Sequence, residues 1–584
     1  MLQFFKYVLA TVAGLFVFAF FSFMIMIGIA SVLAGGDSQV EVKPNSILKL
    51  DLNQQIIENA PTEDPLEMLF SSQNPKVGLV DLKAAIANAK LDPKIEGIYI
   101  RADYPMSGFS SLEELRAALV DFKSSGKFVY SYGDVMSEKA FYVNSMADRI
   151  FLPETGDIEF NGLAAEITFL KGLFEKIGVK PEIFRVGEFK SAVEPLIRTN
   201  MSEANKLQTT SYLNSIADDI YGQIAESRSI SREELNVILN NPVGSVEEAK
   251  AKKLITDVAY FDEFEAALRE KIGLDEDKKL EFVDLAEYRN AKKLVKEGDR
   301  KKRVAVILAQ GDIVSGKGDS GSIGAQSFID ELRKSAEDDK VKAIVLRINS
   351  PGGSALASDL MWREIQLAKK KKPVYASMGD YAASGGYYMA MGCDTIVANP
   401  STITGSIGIF GILLNTQELM NNKLGITFDA VETHEHANFA SSVSPIPESE
   451  RAMIQNSVNA GYERFTSKAA LGRKMKLDDL KAIASGRVWT GTQAKENGLV
   501  DVLGNLNDAI ELAAKRAGIE EDYSVRYYPK AKTDIERFLE KISGSADTKL
   551  KQKLGALAPY LDETNKLLEM DKVQARMLGD VEIQ

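Results

Sequence analysis

The feature that most constrains this chain is that it repeats itself in register. Lys94-Ile-Glu-Gly-Ile-Tyr-Ile-Arg101 returns as Lys340-Val-Lys-Ala-Ile-Val-Leu-Arg347, 246 positions later. Gly133-Asp134 returns as Gly379-Asp380 and Gly162 as Gly408, at the same offset. Ile177-Gly178-Val179 matches Leu424-Gly425-Ile426 at 247, and Glu248-Ala249…Leu254-Ile255 matches Gln493-Ala494…Leu499-Val500 at 245. A register held over so long a stretch means two homologous tandem domains. Within each repeat, short apolar strands alternate with amphipathic helices, which predicts α/β domains with a largely parallel sheet. In the second repeat Ala343–Ile348, Pro373–Ser377 and Asp394–Ala398 read as strands and Ala355–Lys370 as a helix. The basic stretch Lys292–Arg303 marks the junction, giving repeats over 41–297 and 298–533. Residues 534–584 match nothing in the first repeat. Their pattern, with Phe538, Leu539, Ile542, Leu554, Leu557 and Leu561, predicts a helical C-terminal extension.

Ahead of the repeats, residues 1–40 carry an uncharged run of 30 positions, from Tyr7 to Gly36. A helix needs about 20 apolar residues to cross a bilayer, and a buried helix of this length ordinarily keeps a polar face. The run is also too long for a typical secretory core, despite a cleavage-like Val32-Leu33-Ala34. We expect an uncleaved single transmembrane helix. Lys6 precedes the run while Asp37 and Glu41 follow it, so the body is expected on the extracytoplasmic side of the cytoplasmic membrane.

Composition closes several routes. Lys+Arg 71 against Asp+Glu 83 gives a net charge of −12, unsuited to phosphate-backbone binding, and no nucleic-acid partner is expected. Cys393 is the only cysteine, which excludes an intrachain disulfide and a thiolate zinc site. The two histidines, His434 and His436, stand in Thr-His-Glu-His-Ala with no second half of a metal site, and read as surface-loop residues. Neither a metal nor another cofactor is expected.

Two motifs in the second repeat carry chemistry. Asn349-Ser-Pro-Gly352-Gly353-Ser354 lies between a strand and a helix, where a tight turn can aim its amides at a ligand. Alone, such a sequence is an ordinary turn. Gly379-Asp-Tyr-Ala-Ala-Ser384-Gly385-Gly-Tyr-Tyr388 follows the next strand, with small residues leaving the Ser384 hydroxyl accessible and Gly385 able to offer an amide to an oxyanion. Together they favour a nucleophile over a helix cap.

A serine needs a base. Lysine serves only when neutral, which demands burial away from counter-ions. Phe184-Arg-Val-Gly-Glu-Phe-Lys190-Ser-Ala-Val-Glu-Pro195 offers Lys190 among Phe189, Ala192 and Val193, with Glu188 and Glu194 as competing partners. The repeat comparison selects it. Ser384 corresponds to Glu138 in the first repeat, and Lys190 corresponds to Ala437 in the second. Each repeat has lost one partner and kept the other, so a site assembled between the domains is expected, from one chain or from neighbouring chains.

These motifs resemble the long, two-domain form of signal peptide peptidase A, also called protease IV, of the ClpP/crotonase-like superfamily. The resemblance runs over nearly the whole chain and shows no departure at the quoted positions. It implies tandem ClpP/crotonase-like domains and a Ser/Lys dyad: Ser384 as nucleophile, Lys190 as general base and then acid. It also implies an oxyanion hole from the Gly353 and Gly385 amides, and a second serine, Ser406 in Thr404-Gly-Ser-Ile-Gly408, orienting the lysine amine. A hydroxyl there can hold a neutral amine without favouring its charged form as a carboxylate would. The resemblance further implies signal-peptide remnants as substrates, lipid contact through the N-terminal helix, and a homotetramer. Three rivals stand against it: a crotonase-like acyl-CoA enzyme, a non-catalytic membrane scaffold, and a serine protease using His434 or His436 as base.

Overall fold

The computed structural model describes residues 6–7, 11–21, 23–24, 40–59, 76–319, 321–529, 573–577 and 582–583. The first repeat supplies β1 (Ser46–Asp51), β2 (Ile95–Arg101), β3 (Phe128–Tyr132), β4 (Arg149–Leu152), β5 (Lys180–Val186), β6 (Asp257–Val258) and β7 (Glu281–Asp284). All but β5 form one parallel sheet in the order β6-β4-β3-β2-β1-β7. The second supplies β8 (Arg303–Gln310), β9 (Asp312–Val314), β10 (Ser322–Gly324), β11 (Val341–Ser350), β12 (Gly352–Ser354), β13 (Val374–Ala383), β14 (Thr395–Ala398), β15 (Ile403–Gly405), β16 (Ile409–Asn415), β17 (Val488–Thr490), β18 (Val502–Leu503) and β19 (Ser524–Tyr528). The matching sheet runs β17-β15-β13-β11-β8-β19, with β14 beside β13 and paired to β18.

Parallel strands are buried on both faces, which explains the continuous apolar runs. Along β8, Val304 and Val306 pack with Leu506, Ala509, Ile510 and Ala513 on one face. Ala305, Ile307 and Ala309 pack with Phe328, Met361 and Ile365 on the other. Successive side chains of a strand point to opposite faces, so one strand feeds both layers.

The duplication extends to single contacts. The Val129 amide donates to Asp148 at 2.8 Å, and the Val374 amide to Asp394 at 2.9 Å. The Lys127 ammonium reaches the carbonyls of Ala89 and Asp92, and that of Lys372 reaches those of Ser335 and Asp338. Gly178 and Gly425 end equivalent turns in the left-handed conformation, with φ of 77° and 70°. β8 begins at Arg303, where the basic junction ends.

A third sheet joins the repeats. It runs β5-β16-β20-β12-β9-β10, where β20 is Val573–Arg576. β5 of the first repeat pairs antiparallel with β16 of the second over seven residue pairs, Lys180↔Asn415 to Val186↔Ile409. The described part of the expected helical extension is therefore strand: residues 573–576, and Glu582–Ile583 paired with residues 165–166. The reason is a vacancy of backbone partners between β12 and β16, which an extended segment satisfies and a helix does not. The helical pattern over 534–561 lies outside the described residues. So does most of the uncharged N-terminal run, of which 11–21 are helical. Among the described residues, no helix is long and apolar enough to cross a membrane.

Polar contacts lock the repeats further. Arg347, on β11, is fully buried and pairs with Glu58 at 2.8 Å and Glu114 at 2.7 Å, both from the first repeat. Asp380 accepts the Ser111 amide at 2.8 Å and its hydroxyl at 2.7 Å.

Candidate active site

Ser384 stands where β13 turns into the helix α1 (Gly385–Ala390). Its backbone, φ 53° and ψ −109°, lies in a region that L-residues rarely occupy. Such strain persists only when the surroundings enforce it, and it clusters at functional sites. Here the Ser384 amide donates to Gly405 O at 2.8 Å. A Cβ at residue 386 would come within 2.7 Å of Ser350 O, so the turn requires glycine there. In the first repeat, Glu138 opens the equivalent helix and its carboxylate is capped by the amides of Asn161 and Gly162 and by the Tyr221 hydroxyl. That half holds no nucleophile at the position. Ala437, the counterpart of Lys190, lies on an exposed turn.

Lys190 follows β5, and the cross-repeat ladder carries it into the second repeat. Within this one chain its Nζ lies 2.9 Å from Ser384 Oγ, 2.9 Å from Ser406 O and 3.1 Å from Ser406 Oγ. The neighbours that bury it differ from those expected. Gly408, where a Cβ would stand 3.1 Å from the Lys190 Cδ, and Gly486 lie beside it, and the Phe410 ring faces the amine at 6.0 Å. A Cβ at residue 486 would lie 2.7 Å from Lys190 Cα, and its φ of 79° also favours glycine. Neither nearby glutamate reaches the amine. Glu188 is exposed, and Glu194 accepts from Ser202 and Asn205 instead. Burial alone drives the Lys190 amine well below the ordinary lysine range.

The neutral amine has two N–H donors and one lone pair. Ser406 takes the donors on its carbonyl and hydroxyl, which leaves the lone pair to receive the Ser384 proton. Ser406 reaches this position through φ of 49°. Its replacement by Ala should strand one buried donor. We expect kcat/KM to fall about 10- to 100-fold, corresponding to roughly 1–3 kcal/mol. Steady-state kinetics on a peptide, beside an unchanged thermal midpoint, checks this.

Gly352 and Gly353 form a short strand rather than the expected bare turn, because β12 is held by β9 and β20 on its two sides. Gly353 has φ of 155°, and a Cβ there would lie 2.1 Å from Ile313 O. The preceding glycine of this strand lies against the helix start: a Cβ on Gly352 would stand 2.7 Å from the Gly385 amide nitrogen. His434 is exposed, and His436 lies 3.6 Å from Glu450. Neither contacts Lys190 or Ser384, against the histidine-base alternative. Among the described residues no cluster of His, Cys, Asp and Glu could hold a metal ion.

The sequence profile described as "Peptidase family S49" matches this chain twice, over residues 121–275 and 366–520. The chain belongs to peptidase family S49. The chain is 33% identical to Protease 4 of Salmonella typhi, over 95% of this chain and 92% of that protein. It is 33% identical to Protease 4 of Haemophilus influenzae, over 86% and 84%. It is 36% identical to "Serine protease SPPA, chloroplastic" of Arabidopsis thaliana, over 82% and 70%. A solved ClpP1 mutant from Listeria monocytogenes aligns with 35% of this chain and 94% of its own at 15% identity, with a TM-score of 0.24. As an S49 member the protein is a serine protease with two tandem family domains, which sets aside the acyl-CoA and scaffold readings.

Proposed function

We propose that the protein is a membrane-anchored endopeptidase that hydrolyses apolar peptides, signal-peptide remnants among them, through a Ser384–Lys190 dyad. The observation that carries this reading is the 2.9 Å contact between a buried, uncompensated lysine amine and a serine hydroxyl. Neutral Lys190 removes the Ser384 proton as Oγ attacks the peptide carbonyl. The Gly353 and Gly385 amides receive the oxyanion. Lys190 then protonates the leaving amine, and water deacylates the enzyme. Residues 7–36 anchor the chain in the cytoplasmic membrane, with the catalytic body outside the cytoplasm and four copies enclosing their sites. Enclosure would spare folded proteins, while an anchor brings the site to apolar peptides left in the bilayer.

Mass spectrometry of an apolar peptide incubated with wild type and with Ser384→Ala tests the chemistry. Wild type should cut the peptide and the variant should not; equal cutting by both rejects the dyad. Deletion of residues 1–40 should move the protein from the membrane to the soluble fraction, and its retention in the membrane would reject the anchor.

A further inference from the structure

The turn that presents Lys190 is held from behind by one buried amide. Gln208 lies on the long first-repeat helix Glu203–Arg228. Its Nε2 donates to Phe189 O at 3.1 Å and to Ser191 Oγ at 2.8 Å, the residues on either side of Lys190. Its Oε1 accepts the Val488 amide at 3.2 Å. Val488 belongs to β17 and pairs with Gly405, the residue before Ser406.

Two further contacts fix which way this amide faces. The buried Glu194 carboxylate is an acceptor, so Asn205 turns its Nδ2 toward it, at 3.2 Å. Asn205 Oδ1 then faces Gln208 Nε2 at 3.1 Å, which leaves Gln208 Oε1 for Val488. The stretch 485–488 in turn touches both partners of the site. Ser485 O takes the Phe189 amide at 3.0 Å, and Arg487 O takes the Ser406 amide at 2.7 Å. Gln208 closes a ring: from the Lys190 turn through Val488 and Arg487 to Ser406, and from Ser406 back to the Lys190 amine. Such a ring answers a need of the mechanism. A lysine amine sits on a flexible four-carbon stem, and no counter-ion holds this one in place. Proton transfer nevertheless demands close placement, and an error of about 1 Å can cost about 100-fold in rate.

We propose that Gln208 is a positioning residue for the dyad: it locks the Lys190 turn to the 485–488 stretch and so fixes the amine between Ser384 and Ser406. This rests on the dyad reading above. Gln208 acts through residues 189, 191 and 488 and not on the reacting atoms. The charged groups around it are Glu194, Arg185, whose Nη1 reaches Lys190 O at 3.4 Å, and Arg487, stacked on the Phe189 ring at 5.0 Å. Gln208 also lines a small pocket with Tyr212 and Tyr381, so its test must separate positioning from substrate contact.

Steady-state kinetics across pH on a fluorogenic apolar peptide, beside thermal melts, test this with Gln208→Met, Ser191→Ala, their double variant and Lys190→Met. Methionine keeps the side-chain length, removes the amide and adds no charge. In Gln208→Met, kcat should fall about 10- to 100-fold with KM within about twofold of wild type. Its acid limb should move about one pH unit upward, because an amine that drifts toward water charges more readily. Ser191→Ala removes one acceptor and should show both changes to a smaller extent, with no further loss when added to Gln208→Met. A purely structural role would lower the active fraction at every pH and leave the limb in place, and that result overturns the proposal. Unchanged kcat, or a raised KM with kcat unchanged, also overturns it, while an inactive Lys190→Met spares the dyad. If Gln208→Met does not fold, Ser191→Ala decides on the same two readouts. Wild-type turnover by Lys190→Met removes the dyad reading and this proposal with it.

Discussion

Replacing Lys190 by Met is expected to lower kcat/KM for a peptide about 10²- to 10⁴-fold, the usual contribution of a positioned general base. The substitution keeps the methylene volume that packs on Gly408 and Gly486 and removes only the amine. Lys190→Arg should be equally inactive, since a guanidinium stays charged at any working pH. In wild type the rate should fall as pH drops through the depressed lysine value, because only the neutral amine accepts a proton. An acid limb that is absent, or that survives in Lys190→Met, would contradict the mechanism. Stability should follow pH in the same direction. The folded pKa lies below the unfolded value of about 10.4, so at neutral pH the unfolded chain binds the extra proton and burial of this lysine opposes folding. Wild-type stability therefore rises with pH between those two values. Lys190→Met should be the more stable protein near neutrality, with the difference narrowing toward pH 10. Thermal melts across pH measure both trends.

Arg347→Met is expected to destabilise the protein by about 3–5 kcal/mol, because it leaves two carboxylates buried without their cation. Burial pushes Glu114 up, but Arg347 and then Lys83 more than offset this and hold it at about 2. Burial dominates at Glu58 and raises its pKa despite Arg347. The signs differ accordingly. The Glu114 contribution is complete above its unfolded pKa and disappears as pH falls toward 2, whereas Glu58 gains from protonation. The damage in Arg347→Met should thus be greatest near neutral pH and lessen in mild acid, where Glu58 can take a proton. Activity should fall too. Glu58 also accepts from Asn349 Nδ2 at 3.3 Å, and Asn349 Oδ1 holds the Tyr381 amide at 3.1 Å, so the network braces both strands that lead into the oxyanion turn and Ser384. Denaturant unfolding at pH 7 and pH 5, with kinetics on the same samples, tests this. A stability loss below 1 kcal/mol at both pH values would count against a structural role for the pair.

The nucleophile was legible because small residues and glycines crowd one strand-to-helix turn, and that pattern survives in one dimension. Lys190 was legible only through the repeat: its flanking residues do not distinguish it, but the loss of lysine at 437 and of serine at 138 does. Its true surroundings, Gly408, Gly486 and Phe410, lie hundreds of positions away and were not legible. The same is true of Arg347. A lone charge at the end of an apolar strand hints at a buried partner, yet Glu58 is 289 positions distant. Val573-Gln-Ala-Arg576 carries too few residues to show a strand period, and its conformation is dictated by the two edges it joins.

The seven-pair ladder between β5 and β16 has a consequence for how such a gene can change. Loss or exchange of either half alone is expected to abolish hydrolysis, since the ladder that pairs β5 with β16 also holds the lysine to the serine. Co-expressed as separate polypeptides, the halves should find each other and recover hydrolysis, while either by itself should expose an unzipped border and aggregate. Duplication here has converted a spare copy into a dependency.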